Sequence, residues 1–541
     1  MKAIALLDVD LEQTPIGTRS RLTEELCGEI VLRRTIARLQ SVKRFCAIVV
    51  ACPKEQQPTV ESILEGTSAK CFSRDASPPT YRNLIRCARK WSLDAWRGGL
   101  GGSSGLDDYM DVRILLGALD RFEADTVALI PPGSALIDPT FVDEMLDHTE
   151  ANEGSVRLTF AQTPPGLSPV IMQRALCEQL AQSNAPVGWA IGYKPDEPAI
   201  DLAFKPSCFI ASQSLRHASG RLTADTRRSF RDMERIIQSG ADSSADATAN
   251  WLLENERERF DDLPREVEIE LTIDSPIQSR LRPDKSQLPK RDPIDPELVG
   301  KLAAEMSTYD DSLITLAGYG DPLLHPQFDS IVTSIRRANV YGLAVRTTGQ
   351  TLDDTHISTL IKNNVDIIEF TLDAWTPKAF GKCNVGGKLQ NATDAIEQLV
   401  QARSDAQQAT PIVVPSMIKS RLNIGEMDPF FDGWIRKVGC ALIGAYSNFG
   451  GQLEDQSVAD MRPPQRPPCR RLSNHCFVAS DGQVYACDQD LKASMPLGHL
   501  GDVTMGAIWA GKVHSNLRTC HATGHLDEYP TCARCTEWHR P

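Results

Sequence analysis

Four cysteines near the C-terminus constrain this chain most: Cys469, Cys487, Cys532 and Cys535. Cys532-Ala-Arg-Cys535 is a Cys-x-x-Cys pair, which lets two thiolates bind one metal centre. Asp481-Gly482 stands between two short apolar runs, 476–478 and 484–486, and predicts a two-residue hairpin turn. Such a hairpin lifts Cys487 toward Cys469, and the C-terminal pair closes the site. Four thiolates suit either a closed structural zinc ion or an iron–sulfur cluster, and spacing alone does not choose. Six of the ten histidines (His475, His499, His514, His521, His525, His539) lie in the same tail as spare ligands. Cys476 and Cys520 are expected to be ordinary buried residues, as free cysteine often is.

Cys469-Arg-Arg-Leu, Asp481-Gly482-Gln-Val-Tyr-Ala-Cys487-Asp-Gln-Asp490, Leu497-Gly498, Ile508-Trp509, Leu517-Arg518 and Pro530-Thr-Cys532-Ala-Arg-Cys535-Thr-Glu-Trp538 follow one another in this order. Together they resemble a SPASM domain, a module that follows many radical SAM enzymes and carries an auxiliary iron–sulfur cluster. The resemblance implies one [4Fe–4S] cluster on the four cysteines. With all four irons ligated by cysteine, such a cluster is structural or electron-carrying and binds no substrate.

Composition narrows the remaining classes. The chain has 541 residues, enough for several domains. It is 41% hydrophobic and 24% charged, an ordinary soluble composition. Its net charge of −13 argues against a nucleic-acid partner, which needs a basic face. Fifteen cysteines, patterned only at the end, argue against a disulfide framework and for the cytoplasm. Met1-Lys-Ala-Ile-Ala-Leu-Leu-Asp8 meets an acid too early for a signal peptide, and no apolar run has the length of a membrane span.

Residues 1–215 alternate strand and helix. Apolar runs at 3–7, 46–52, 126–130 and 155–161 have buried-strand length, and 30–39 and 110–122 carry helical spacing. A mostly parallel sheet covered on both faces follows. Gly98–Gly105 reads as a flexible surface loop. Gly17-Thr-Arg-Ser-Arg-Leu22, Cys46-Ala-Ile-Val-Val-Ala-Cys52 and Leu136-Ile-Asp-Pro139 resemble the sugar-nucleotide cytidylyltransferases and their glycosyltransferase-A-like fold. The resemblance implies phosphate gripping by the first loop and a metal-binding aspartate three residues before Leu136. Gly133 stands there instead. Nucleotidyl transfer needs Mg²⁺ on carboxylate oxygen, so the activity is expected to be lost with the fold retained. Residues 216–262 are polar and charged and read as a helical connector.

From 263 to 455 about six strand–helix units return, which suggests an open parallel barrel. Ala317-Gly-Tyr-Gly-Asp-Pro-Leu-Leu-His-Pro326, Thr347-Thr-Gly349 and Phe370-Thr-Leu-Asp373-Ala resemble the strand ends of the radical SAM barrel. The resemblance assigns Gly318, Gly320, Asp321 and Asp373 to binding of S-adenosylmethionine. For the glycines, a tight strand-to-helix turn is the alternative. For Asp373 it is a rim hydrogen bond.

The family's cluster loop follows a strand ending in Glu-Leu-Thr and reads Cys-x-x-x-Cys-x-x-Cys. Here the stretch is Glu270-Leu-Thr-Ile-Asp-Ser275-Pro-Ile-Gln-Ser279-Arg-Leu-Arg282. Serine is a poor, hard ligand, and arginine is always protonated and cannot ligate. Cys383 reads as packing or incidental, and Arg280 and Arg282 as solvated charge, with an anion site in the barrel mouth as the alternative. The fold class is therefore α/β: an N-terminal nucleotidyltransferase-like sandwich, a partial (β/α)6 radical SAM-like barrel, and a small Cys-rich SPASM module over 456–541. The combination resembles the spiro-SPASM type of protein.

The function expected is a cluster-binding scaffold or electron carrier with an unknown peptide, protein or nucleotide partner. Two enzymatic alternatives stand beside it. One is a radical SAM oxidoreductase with unorthodox ligation, acting on a peptide or protein. The other is a cytidylyltransferase in the first domain.

Overall fold

A computed structural model describes residues 1–74, 77–196, 206–256 and 259–540. The chain forms two compact units, Met1–Arg259 and Phe260–Pro541.

In the first unit, strand β1 (Ala3–Asp8) is buried along its whole length. Ala3, Ala5 and Leu7 join one core while Ile4 and Leu6 join another. That split is what alternation demands of a strand in a sheet covered on both faces. The other strands are β2 (Phe45–Pro53), β3 (Lys70–Arg74), β4 (Thr126–Leu129), β5 (Leu158–Ala161), β6 (Val170–Gln173) and β7 (Cys208–Phe209), in the sheet order β3-β2-β1-β4-β6-β5-β7. The first four in that order are parallel, and β6 runs antiparallel to both β4 and β5.

Two readings of this region change. The glycine-rich 98–105 stretch is not simply a surface loop, because Ser103 and Ser104 are 3% and 4% exposed. A Cβ on Gly99 would lie 2.2 Å from Ser103 Oγ, so glycine there serves close packing. The polar 216–262 stretch holds helices Arg227–Gln238 and Ala245–Glu254. Met233, Ile236, Ala249 and Leu252 from them pack into the same core as Ala5 and Leu7. A few buried positions per helix suffice for this, which is why the composition looked like that of a connector.

The second unit is built on one nine-stranded sheet. Strands β8 (Glu266–Glu270), β9 (Leu313–Ala317), β10 (Gly342–Thr347), β11 (Ile367–Thr371), β12 (Ile412–Lys419) and β13 (Leu442–Ala445) are successive parallel neighbours. These are the six strands of the expected open barrel. The intervening helices bury apolar stripes at helical spacing, Phe328, Ile331, Val332 and Ile335 in one, Ala392, Ala395, Ile396 and Leu399 in another. Along β8, Val267 and Ile269 enter this helix-covered core. By alternation Glu266, Glu268 and Glu270 face the opposite side, so the barrel interior is polar.

The cysteine-rich tail continues the same sheet. Strand β14 (His475–Val478) pairs parallel with β8, from Glu266 opposite His475 to Ile269 opposite Val478. Strands β15 (Gln483–Tyr485) and β16 (Pro496–His499) extend it antiparallel. The turn between β14 and β15 corrects the two-residue expectation. Gly482 N–H donates to Ala479 O at 2.8 Å and Ala479 N–H to Gln483 O at 2.9 Å, so the loop is Ser480-Asp481-Gly482. Gly482 has φ +86°, the left-handed residue that closes a three-residue hairpin. Among the described residues, no helix is long and apolar enough to cross a membrane.

Candidate metal centre and barrel mouth

Three local devices bring in the four cysteines. Cys469 precedes the short helix Arg471–Asn474 that feeds β14. Cys487 follows β15, so the hairpin carries it back. Cys532 lies in helix Pro530–Arg534, started by a proline at its first turn, and Cys535 caps it. All four line one cavity of about 30 Å³, with Arg471, His521 and Trp538 among its other walls. Glu537 N–H donates to Cys535 Sγ at 3.2 Å.

Burial pushes all four thiols up: Cys532 to about 12, Cys469 and Cys535 upward, and Cys487 far upward with help from the Asp488 charge. Binding a cationic centre there therefore releases protons. Among the described residues, no three His, Cys, Asp or Glu side chains gather into a site for a single metal ion. Cys476 packs in the core with its sulfur 3.8 Å from Met505 Sδ. Of the six tail histidines, His521 lines the cavity. His514 and His499 bind the backbone carbonyls of Trp509 and Asp481.

A chain of half-buried charge runs from this cavity into the barrel. Arg471 Nη1 lies 2.7 Å from Asp488 Oδ1. Arg346 on β10 lies 2.9 Å from Glu369 and 3.5 Å from Glu268. Burial raises the Glu268 carboxyl to about 7, with Arg346 opposing and Asp488 and Glu266 assisting.

Between about 4.5, its ordinary value, and 7 the folded chain therefore holds a proton on Glu268 that the unfolded chain has lost. Its contribution to stability is full below that window and disappears as pH rises through it. Denaturation midpoints measured across this window will fall with pH from this group. Glu268→Gln will flatten that part of the slope.

The barrel mouth is a cavity of about 240 Å³. Gly318, Gly320 and Asp321 line it, but each has a structural task. A Cβ on Gly320 would lie 2.1 Å from Thr272 O, and one on Gly318 (φ +102°) 2.7 Å from Glu270 Cβ. The end of β8 thus requires both glycines. The Asp321 carboxylate accepts from Thr347 Oγ1 (2.9 Å), Thr348 N (2.9 Å) and Thr348 Oγ1 (2.6 Å), tying two strand ends together.

Asp373 is fully buried, at φ +59°, and accepts from Ile418 N–H at 2.8 Å. Its carboxylate is ion-paired with Arg282. Arg282, read as solvated charge, therefore points inward to a carboxylate 91 residues away in sequence. Ser275 Oγ donates to Ile277 O (2.7 Å), and Ser279 Oγ accepts from Leu281 N–H (3.1 Å). Cys383 is buried against Leu281 and Tyr446. The residues at the three triad positions do not fit an iron–sulfur cluster.

Tyr319 escaped the sequence reading. It lines the barrel mouth, and its hydroxyl donates to Asp488 O, beside Cys487, at 2.5 Å. An aromatic residue between two glycines that must be small was the available signal.

In the first unit, Arg19 pairs with Glu24 at 2.9 Å on the surface. A Cβ on Gly133 would meet Ala224 N at 2.7 Å, so that position has no room for a carboxylate. Asp138 caps the helix that follows, accepting from Thr140 N–H at 2.9 Å.

Residues 279–416 match the family model of the radical SAM superfamily. Residues 469–536 match that of SPASM, an iron–sulfur cluster-binding domain. The chain thus combines a radical SAM domain with a SPASM domain. It is 24% identical over 291 residues to a Treponema pallidum (strain Nichols) protein described as uncharacterized, covering 50% of this chain and 79% of that one. Among solved structures it is similar to BtrN in complex with AdoMet and 2-DOIA, at 20% identity and TM-score 0.37, over 50% of this chain and 93% of BtrN. It is also similar to a cytidylyltransferase from Leptospira borgpetersenii, at 16% identity and TM-score 0.33, over 48% of this chain and 96% of that one.

Proposed function

We propose that this chain is an iron–sulfur protein derived from radical SAM enzymes that no longer cleaves S-adenosylmethionine. It holds one [4Fe–4S] cluster on Cys469, Cys487, Cys532 and Cys535. The observation that carries the reading is the ion pair of Arg282 with buried Asp373, at a position where the family has a cluster cysteine. A guanidinium committed to a carboxylate does not ligate iron. The glycines and Asp321 have structural tasks in packing and strand-end hydrogen bonds, which supports a reading without S-adenosylmethionine. The match of residues 469–536 to an iron–sulfur cluster-binding domain favours a cluster over a closed zinc site on the four thiolates that line this cavity.

When bound, the cluster supplies one-electron transfer or structural cross-linking, since four cysteines leave no iron open. Tyr319, bonded to the peptide beside Cys487, joins it to the barrel mouth. A peptide, protein or nucleotide partner docks at that mouth. The first domain serves as a binding scaffold without nucleotidyl transfer, because Gly133 leaves the metal without its carboxylate. The protein works in the cytoplasm.

Anaerobic purification followed by iron and sulfide counting tests this reading. About four of each per chain is expected, with no deoxyadenosine on adding reductant and S-adenosylmethionine. About eight of each, with deoxyadenosine formed, would establish the oxidoreductase instead.

A further inference from the structure

His521 sits on helix Lys512–Thr523 and is 7% exposed. It lines the cavity of the four cysteines. Its Nδ1 accepts from the backbone N–H of Cys469 at 3.4 Å. That bond fixes the tautomer: the ring proton sits on Nε2. Nε2 is buried and has no hydrogen-bond partner among the described residues. A buried donor left without an acceptor costs about 1–3 kcal/mol, a cost a structure rarely carries without a use.

We propose that His521 is a positioning residue of the C-terminal centre, its Nε2–H donating to a thiolate or sulfide sulfur of the cluster. The inference rests on the cluster reading above. The donor takes no part in ligation, because the four cysteines complete the iron coordination. It acts on the electrons. A hydrogen bond to sulfur stabilises the reduced cluster, which carries the extra negative charge, more than the oxidised one. His521 therefore raises the reduction potential of the centre. Through Cys469 N–H it also fixes the approach of the first cysteine.

The test uses the full chain, purified anaerobically, with wild type, His521→Leu and His521→Gln titrated under EPR. His521→Leu is expected to keep wild-type iron per chain and to reduce at a lower potential. His521→Gln, whose amide still donates, is expected to stay closer to wild type. Reduced wild type exchanged into D₂O should show an exchangeable deuteron coupled to the cluster in addition to any from the Glu537 N–H on Cys535 Sγ, and that additional one should be absent in His521→Leu. If His521→Leu does not fold, the Gln variant and the wild-type deuteron carry the test.

An unmoved potential together with no additional coupled deuteron overturns the assignment. Strong nitrogen coupling in wild type, with altered g-values in the variants, overturns it in favour of direct ligation. Wild-type protein without iron defeats the cluster reading itself, which separates the two failures.

Discussion

Changing Cys487 and Cys535 together to serine will strip the purified chain of its iron and its visible absorption. The tail will then become the first part of the protein to be cut by protease. Cys469, Cys487 and the Cys532–Cys535 pair come from three separate segments, joined through β14–β16 and four helices, of which only Lys512–Thr523 exceeds five residues. Free thiols in this cavity stay protonated, because burial raises all four. Two cysteines cannot hold a cluster in place of four, and the free energy of binding the centre is folding free energy for such a module. Iron analysis and limited proteolysis read the two effects. Cleavage is expected beyond the proline-rich 462–468 stretch, while the barrel strands survive. A double variant that keeps full iron with an unchanged spectrum would mean that the centre lies elsewhere.

Arg282→Ala will lower stability by about 3 kcal/mol, the lower end of what removing one partner of a buried ion pair costs. The loss comes from Asp373, whose carboxylate stays fully buried and keeps the Ile418 N–H as its other partner. The lower end applies because the Arg282 side chain is 24% exposed. Arg282→Met combined with Asp373→Asn will recover most of the loss. It removes both charges, and asparagine tolerates the left-handed φ of +59° at that position. Chemical denaturation of the three proteins is the measurement. If Arg282→Ala unfolds like the parent chain, the ion pair does not hold the mouth together. The same logic predicts that restoring the cysteines, by Ser275→Cys, Ser279→Cys and Arg282→Cys together, gives a weakened protein unless Asp373 is changed as well.

Much of the architecture was open to reading because it depends on local pattern. The six barrel strands and the stripes of their helices follow from periodicity, which every short segment carries for itself. That Ser275, Ser279 and Arg282 make poor iron ligands follows from side-chain chemistry alone. The turn at Gly482 was placed correctly and given one residue too few, since a two-residue and a three-residue hairpin both accept Asp-Gly. The helices of 216–262 were undervalued because a few buried apolar positions do little to the composition.

The sequence by itself determined the order of the segments, the cysteine set and the two serines and the arginine at 275, 279 and 282, since each depends on the identity of nearby residues. Only the tertiary structure decided that β14 adds to the edge of β8, that Arg282 answers Asp373, and that Tyr319 touches the peptide beside Cys487. Those pairings join residues scores or hundreds of positions apart. Nothing in either partner's neighbourhood encodes the other, and burial alone supplies the free energy that makes a lone charge or donor find its mate.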